Sequence, residues 1–294
     1  MKPLSVSILS DVHFDSYFPS YGVTETMVRK LFDPIFAPDG MKPADVLIIA
    51  GDLGHYNGQS YTIIKMLHEI YFKHIICVLG NHDYYLINRI QMDDYDLNSF
   101  KRVQEMRDLL NSINGVHCLD GNIVEIEGIR FGGCDSWYDG QYVLHNLNPH
   151  YEHCMDYVRN LWKYTMNDAH NMPNIKRFDE LWEIEEPKIE AVYQQCDVMI
   201  THVMPSINPE YVDKMYRSDK VTGFFCFDGE KYLKKTTAHT WIYGHSHMNQ
   251  DIEVHGVRML ANQLGYRNEA IKNGLQDKRL EIYPNIGKSG LSNA

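Results

Sequence analysis

Residues 75–83 read I-I-C-V-L-G-N-H-D: five apolar residues run straight into a glycine and three groups able to bind protons, metals or phosphate. Such a short, wholly apolar run fits a strand covered on both faces, whereas a helix would need at least ten to twelve residues. Its ending matters as much as its body. The same layout recurs where 4–9 leads to Ser10-Asp11-Val12-His13 and 46–50 leads to Gly51-Asp52. It returns where 198–200 leads to Thr201-His202 and 240–243 leads to Gly244-His245-Ser246-His247.

Between these runs, 24–36, 60–71, 99–113 and 188–195 carry apolar residues at helical spacing. Strands alternating with helices predict an α/β fold with its sheet covered on both sides. Residues 116–119, 123–126 and 129–132 read as successive strands, with Asp120-Gly121-Asn122 and Glu127-Gly128 as turns. A further hairpin is expected from 251–254 and 257–260 around His255-Gly256, which makes the sheet mixed. The stretch 137–182 is rich in Tyr, His, Asn and Trp and contains no apolar strand, so it reads as an inserted helical cap. Because the polar strand ends span residues 11 to 247, residues 1–294 are expected to form a single domain.

A hydrophobic fraction of 44% over 294 residues supports a sizeable core. No apolar run approaches the roughly 20 residues that cross a bilayer. The first ten residues alternate like a strand and lack a signal-peptide block, so the expected location is the cytoplasm, with no membrane partner. Six scattered cysteines without a C-x-x-C pair fit reduced, structural thiols. A net charge of −11 disfavours a broad grip on nucleic acid, which normally needs clustered Lys and Arg.

In α/β sheets, functional groups gather beyond the carboxyl ends of the strands. Here those ends supply Asp11, His13, Asp52, Asn81, His82, His202, His245 and His247. Carboxylate, imidazole and amide oxygen together suit divalent ions such as Mn, Fe and Zn. In extended backbone, residues i and i+2 point the same way, so Asp11 with His13, and His245 with His247, are each expected to aim two side chains into one cleft. Among the remaining histidines, His145, His150, His153 and His170 compete with His202, but only His202 directly follows a buried strand.

Taken in order, D-x-H at Asp11 and His13, G-D at Asp52, G-N-H-D at Asn81 and His82, the separate His202, and G-H-x-H at His245 and His247 resemble the calcineurin-like metallophosphoesterases. The resemblance runs from residue 4 to about residue 260. It implies a four-layer sandwich, two mixed β-sheets flanked by helices. It also implies two divalent metal ions, whether Mn, Fe, Zn or Ni. Asp11, His13 and His247 would hold one ion, Asn81, His202 and His245 the other, and Asp52 both. His82 would contact phosphate and protonate or stabilise the leaving oxygen.

The implied enzyme is a phosphoric ester hydrolase in which a hydroxide held between the ions attacks phosphorus, the pKa of water being lowered from about 16 towards about 7. The ions' charge also explains how an acidic protein could take an anionic substrate. The aromatic insert and acidic surface point to a phosphodiesterase or nucleotide phosphohydrolase acting on a small, nucleotide-like substrate; the alternative is a DNA or RNA nuclease of the same superfamily. Phosphoprotein phosphatases usually continue the second motif as G-D-x-x-D-R, and His55 and Tyr56 stand here instead, which disfavours that activity. A non-catalytic scaffold is disfavoured because every implied ligand and His82 are present. His55, Asp135 and Trp137 are the further candidates for substrate contact, the last by stacking on a base.

Overall fold

In the computed structural model, which describes residues 2–147, 155–273 and 277–284, the apolar runs become strands buried on both faces. In chain order they are β1 (Leu4–Leu9), β2 (Val46–Ala50), β3 (His74–Val78), β4 (Val116–Cys118), β5 (Asn122–Ile126), β6 (Ile129–Gly133), β7 (Val198–Ile200), β8 (Thr240–Tyr243), β9 (Gln250–Val254), β10 (Val257–Ala261) and β11 (Lys278–Ile282). One sheet has the order β11-β1-β2-β3-β4 and the other β5-β6-β7-β8-β10-β9. Both are mixed: β1, β2, β3 and β4 run parallel while β11 is antiparallel, and β6, β7, β8 and β10 run parallel between antiparallel β5 and β9.

Side-chain alternation assigns the layers. Val46, Ile48 and Ala50 of β2 share one hydrophobic cluster with Val6, Ile8, Ile76, Ile200, Ile242 and Leu260, which come from both sheets. That cluster is the sheet-to-sheet core. Leu47 and Ile49 belong to another, shared with Val28 and Phe32 of the helix Glu25–Phe36 and Ile63 and Leu67 of the helix Asn57–Ile70. The same cluster also takes in Met199, Trp241 and Met259 of the second sheet and Leu181, Ile189 and Val192 of the helix Phe178–Val192, which packs on β5 and β6. The result is the expected four-layer sandwich. Each fully buried Val, Leu or Ile contributes about 1.5–3 kcal/mol relative to exposure, which is why the runs tolerate so few polar residues.

Two local readings change. Residues 120–122 do not close a hairpin: β4 lies in the first sheet and β5 in the second, so this turn carries the chain between sheets. Glu127-Gly128 and His255-Gly256 do close hairpins, with both residues of each turn in the left-handed region, as a two-residue turn between twisted strands requires. The helix expected over 188–195 instead spans Phe178–Val192 and passes through Pro187. A proline in a helix removes one N–H bond, and here buried Phe178, Leu181, Ile189 and Val192 on either side of it outweigh that loss.

The parallel strands direct their carboxyl ends to one region. At the seam between the sheets, Ser10 N donates to Asn262 O at 2.9 Å, and Leu264 N and Gly265 N donate to Ser10 O and Asp11 O, both at 2.9 Å. The loop after β1 is thereby sewn to the segment after β10. Within 137–182, helical segments occur at Val143–Leu147, Met155–Thr165 and Asp168–Asn171, and the region runs into the helix Phe178–Val192; residues 148–154 of this stretch lie outside the described residues. Among the described residues, no helix is long and apolar enough to cross a membrane.

Candidate metal centre

The strand-end residues converge through backbone that the sequence reading did not anticipate. Asp11, His13, Asp52, His245 and His247 have φ of 50°, 37°, 56°, 67° and 50°, so the paired residues meet through left-handed turns and not through extended chain. Such conformations cost about 1–3 kcal/mol each when held at non-glycine residues. Backbone bonds hold them in place: Asp11 N to Gly51 O at 3.0 Å, His13 N to Asp52 O at 2.9 Å and Gly244 N to His202 O at 2.8 Å.

Glycine is needed where these turns touch. A Cβ on Gly80 would collide with Asp52 Oδ1 and stand 2.6 Å from both Asp52 N and His202 Nε2, although its φ of −119° would suit any residue. Gly80→Ala is therefore expected to lower stability by about 1–3 kcal/mol through overpacking alone. It should also reduce metal content, because Asp52 and His202 must move apart. Thermal unfolding with elemental analysis checks this, and a variant with full metal content would remove the steric reading.

Two groups of donors form around Asp52. Asp11, His13, Asp52 and His247 make one, and Asp52, His202 and His245 the other, each with donor atoms within 4.8 Å of one another. Asp52 faces both, with Oδ2 3.7 Å from His13 Nε2 and Oδ1 3.4 Å from His202 Nε2. His247 Nε2 lies 3.6 Å from Asp11 Oδ1, and Asn81 Oδ1 lies 3.2 Å from His202 Nε2. The separation of His13 Nε2 and His247 Nε2 is 3.1 Å. That is close to the roughly 3 Å expected between two nitrogens each about 2.1 Å from one ion at near-right angles.

The outward ring nitrogens show which lone pairs are free. His202 Nδ1 donates to Ala50 O at 2.9 Å, His245 Nε2 to Phe224 O at 2.8 Å, and His247 Nδ1 to Glu269 Oε2 at 2.8 Å. Carbonyls and carboxylates only accept, so in each ring the opposite nitrogen keeps its lone pair for the cleft, the arrangement metal-ligating histidines adopt. Asp11 Oδ2 is buried with no hydrogen-bond partner among the described residues. Burial, reinforced by neighbouring histidines, holds His13 and His82 well below the usual imidazole range; burial also lowers His202, and takes His245 down to about 4. Burial, with Asp11 and Asp83 alongside, pushes Asp52 well above the usual carboxylate range. Neutral imidazoles and crowded carboxyl groups are what a pair of cations would compensate, so the residues fit.

His82 stands beside this centre. Its backbone N donates to Asp52 Oδ1 at 2.9 Å, and its Nε2 is 4.0 Å from Asp52 Oδ2. Behind it, His82 Nδ1 is 3.0 Å from His55 Nε2, and His55 Nδ1 is 2.6 Å from Asp15 Oδ2. Asp15 accepts from His55 Nδ1–H, and the contact of His55 Nε2 with His82 Nδ1 holds the His82 ring with its Nε2 facing the cleft. Asp15 feels the upward pull of burial, but the His55 bond outweighs it and its carboxyl lies below the usual range. His55, expected as a substrate contact, thus sits behind His82.

Asp135 and Trp137, the other expected contacts, are 0% and 1% exposed, and the structure does not bring them to the cleft surface. Asp135 instead clamps strand ends, accepting from Leu79 N and the Tyr84 hydroxyl, both at 2.8 Å, and pairing with Arg107. Trp137 packs edge-on against Tyr84. His145 and His170 are exposed, while His150 and His153 lie outside the described residues. A further carboxylate group, Asp120, Asp135 and Glu185, is already ion-paired with Arg107 and Lys188.

Several residues at the centre carried no sequence signal. Tyr266 stacks on His13 at 4.2 Å between ring centroids, its hydroxyl 3.4 Å from His82 Nε2. Glu269 braces His247, and buried Arg102 ties the backbone carbonyls of Gly54, His82 and Tyr85 together at 2.6, 2.8 and 2.8 Å. All three lie outside the strand-end pattern, on segments whose approach to the cleft only the fold decides.

The sandwich and its dinuclear-capable cleft define a metal-dependent phosphoester hydrolase. The chain belongs to the calcineurin-like phosphoesterase family, whose model matches residues 4–249. It is similar to an uncharacterized protein of Acanthamoeba polyphaga mimivirus, 24% identical over 242 residues that make up 77% of this chain and 81% of that one. Among solved structures, phosphopantetheinyl hydrolase from Mycobacterium tuberculosis shares the fold with a TM-score of 0.63, 17% identity, and coverage of 97% of this chain and 98% of that one.

Proposed function

We propose that the chain is a phosphodiesterase or nucleotide phosphohydrolase for a small substrate. The observation that carries the reading is Asp52, whose two oxygens face two separate donor groups with His82 alongside. In this reading Asp11, His13 and His247 would hold one ion and Asn81, His202 and His245 the other, with Asp52 shared between them. Two divalent ions held there supply an activated water and a clamp on the phosphoryl oxygens. His82, oriented by His55 and Asp15, would act as the general acid: with Nδ1–H held by His55, Nε2 takes up a proton from solvent and passes it to the departing oxygen. Residues 1–294 act as one domain, with 137–182 as an insertion beside the cleft.

The surroundings support a compact organic ester. Tyr266 borders the group containing His13, and half-buried Phe225 stacks on His245 at 4.8 Å and 28°. Two aromatic rings flanking a phosphate site suit a flat leaving group. His55 in the second motif and the G-N-H-D ending carry a second reading, a nuclease of the same family.

A screen of the Mn²⁺-loaded enzyme against small diesters, monoesters, cyclic nucleotides, a phosphopantetheinyl ester and single- and double-stranded polynucleotides separates the two. The highest kcat/KM is expected on a small diester or nucleotide. Preferential cleavage of polymer, with affinity falling steeply as salt rises, would replace this reading with the nuclease.

A further inference from the structure

Asp168 is wholly buried, and among the described residues no cation pairs with it. A buried carboxylate without compensation is costly, so its surroundings should reveal what it serves. Its partners are three neutral donors: Asn81 Nδ2 at 2.9 Å and the hydroxyls of Tyr85 and Tyr138. Trp162 Nε1 in turn donates to the Tyr138 hydroxyl at 2.5 Å. Asp168, Tyr138 and Trp162 all lie in the 137–182 stretch, whereas Asn81 lies at the end of β3.

These contacts fix the Asn81 amide. An amide has one donor end and one acceptor end, and its orientation is set by its partners. Both donor hydrogens of Asn81 are engaged, one by Asp168 and one by the Tyr85 hydroxyl at 2.9 Å. Its oxygen is left pointing towards His202 Nε2 at 3.2 Å, into the second donor group. A flipped amide would set oxygen against the Asp168 carboxylate. We infer that Asp168 is a positioning residue: from the inserted stretch, it locks Asn81 with its oxygen towards the second ion and supplies a buried negative charge behind it. This rests on the reading above that Asn81, His202, His245 and Asp52 hold that ion.

The test is calorimetric titration of metal-stripped protein with Mn²⁺, with stoichiometry checked by elemental analysis. The wild type is expected to bind two ions. Asp168→Asn is expected to weaken one of them by about 10–100-fold, the range typical of lost outer-sphere support, and to leave the other unchanged. Asn81→Asp sets two carboxylates face to face and is expected to weaken the same ion. The exchange variant N81D/D168N restores an amide donating to a carboxylate, in the opposite sense, and should recover most of the lost affinity. Wild-type binding of two ions by Asp168→Asn would overturn the inference, and so would an exchange variant no better than the worse single variant. Should Asp168→Asn fail to fold by circular dichroism, the exchange variant alone decides on the same criterion. A wild type that binds fewer than two ions would instead overturn the metal-centre reading itself.

Discussion

Asp52→Asn is expected to reduce turnover of a small phosphodiester by roughly 10³-fold or more, the loss of one preorganised charged group in a transition state already reaching about 10²–10³-fold. The geometry also says where the damage falls. Oδ1 accepts from His82 N at 2.9 Å, so the new amide keeps its oxygen there and turns its NH₂ towards His13. The ion shared by Asp11, His13 and His247 should therefore be lost first. Elemental analysis with initial rates measures both effects, and a variant with wild-type rate and metal content would refute Asp52 as the bridge.

The same variant should behave oppositely without metal. The Asp52 carboxyl is raised by burial and by Asp11 and Asp83, so its folded-state pKa exceeds its unfolded one. A raised carboxyl stabilises the fold at low pH, and that contribution is lost as pH rises through the folded value. Metal-stripped wild type loses it progressively as pH rises above the unfolded carboxylate range, whereas the neutral amide has nothing to ionise. Metal-stripped Asp52→Asn is thus expected to melt at or above the wild-type temperature near neutrality, with the advantage shrinking in acid. Metal loading should reverse the order, and melting curves at two pH values with and without chelator read this directly.

His82→Ala is expected to lower kcat by about 10²–10⁴-fold, the usual contribution of a positioned general acid. Its backbone N remains to bind Asp52 Oδ1, so metal content should be preserved. The loss should be larger for an alkyl ester than for a nitrophenyl ester, whose departing oxygen needs less help from a proton. Asp15→Asn and His55→Ala act only through His82 and should show the same leaving-group dependence at smaller size. Equal losses on both esters, or loss of metal in His82→Ala, would show that His82 serves the fold or the ions and not the departing oxygen.

The strand-and-ending pattern was legible because both halves have local causes. Doubly covered strands must be apolar throughout, and their chemistry must begin where the strand stops. Asp11, Asp52, Asn81, His202 and His245 could be picked out on that ground alone. Asp15, Tyr266, Glu269 and Asp168 could not, since each depends on contact between segments far apart in sequence and none sits at a strand end. β11 was missed for a related reason: Lys278–Ile282 is half polar, and it is a strand because β1 offers it an edge. Trp137 misled because its aromatic character fits a base-stacking wall and a core equally well, and only its position beneath Tyr84 separates the two.

The seam that sews the loop after β1 to Leu264 and Gly265 also sets a timetable for biosynthesis. A ribosome makes Asp11 and His13 before Asp52. His247 and its brace Glu269 are made 195 and 217 residues after Asp52. The early strands β1, β2 and β3 can pair while synthesis continues. The ion shared by Asp11, His13 and His247 must wait, so its capture follows the pairing of these strands and the nascent enzyme stays silent until the segment after β10 arrives.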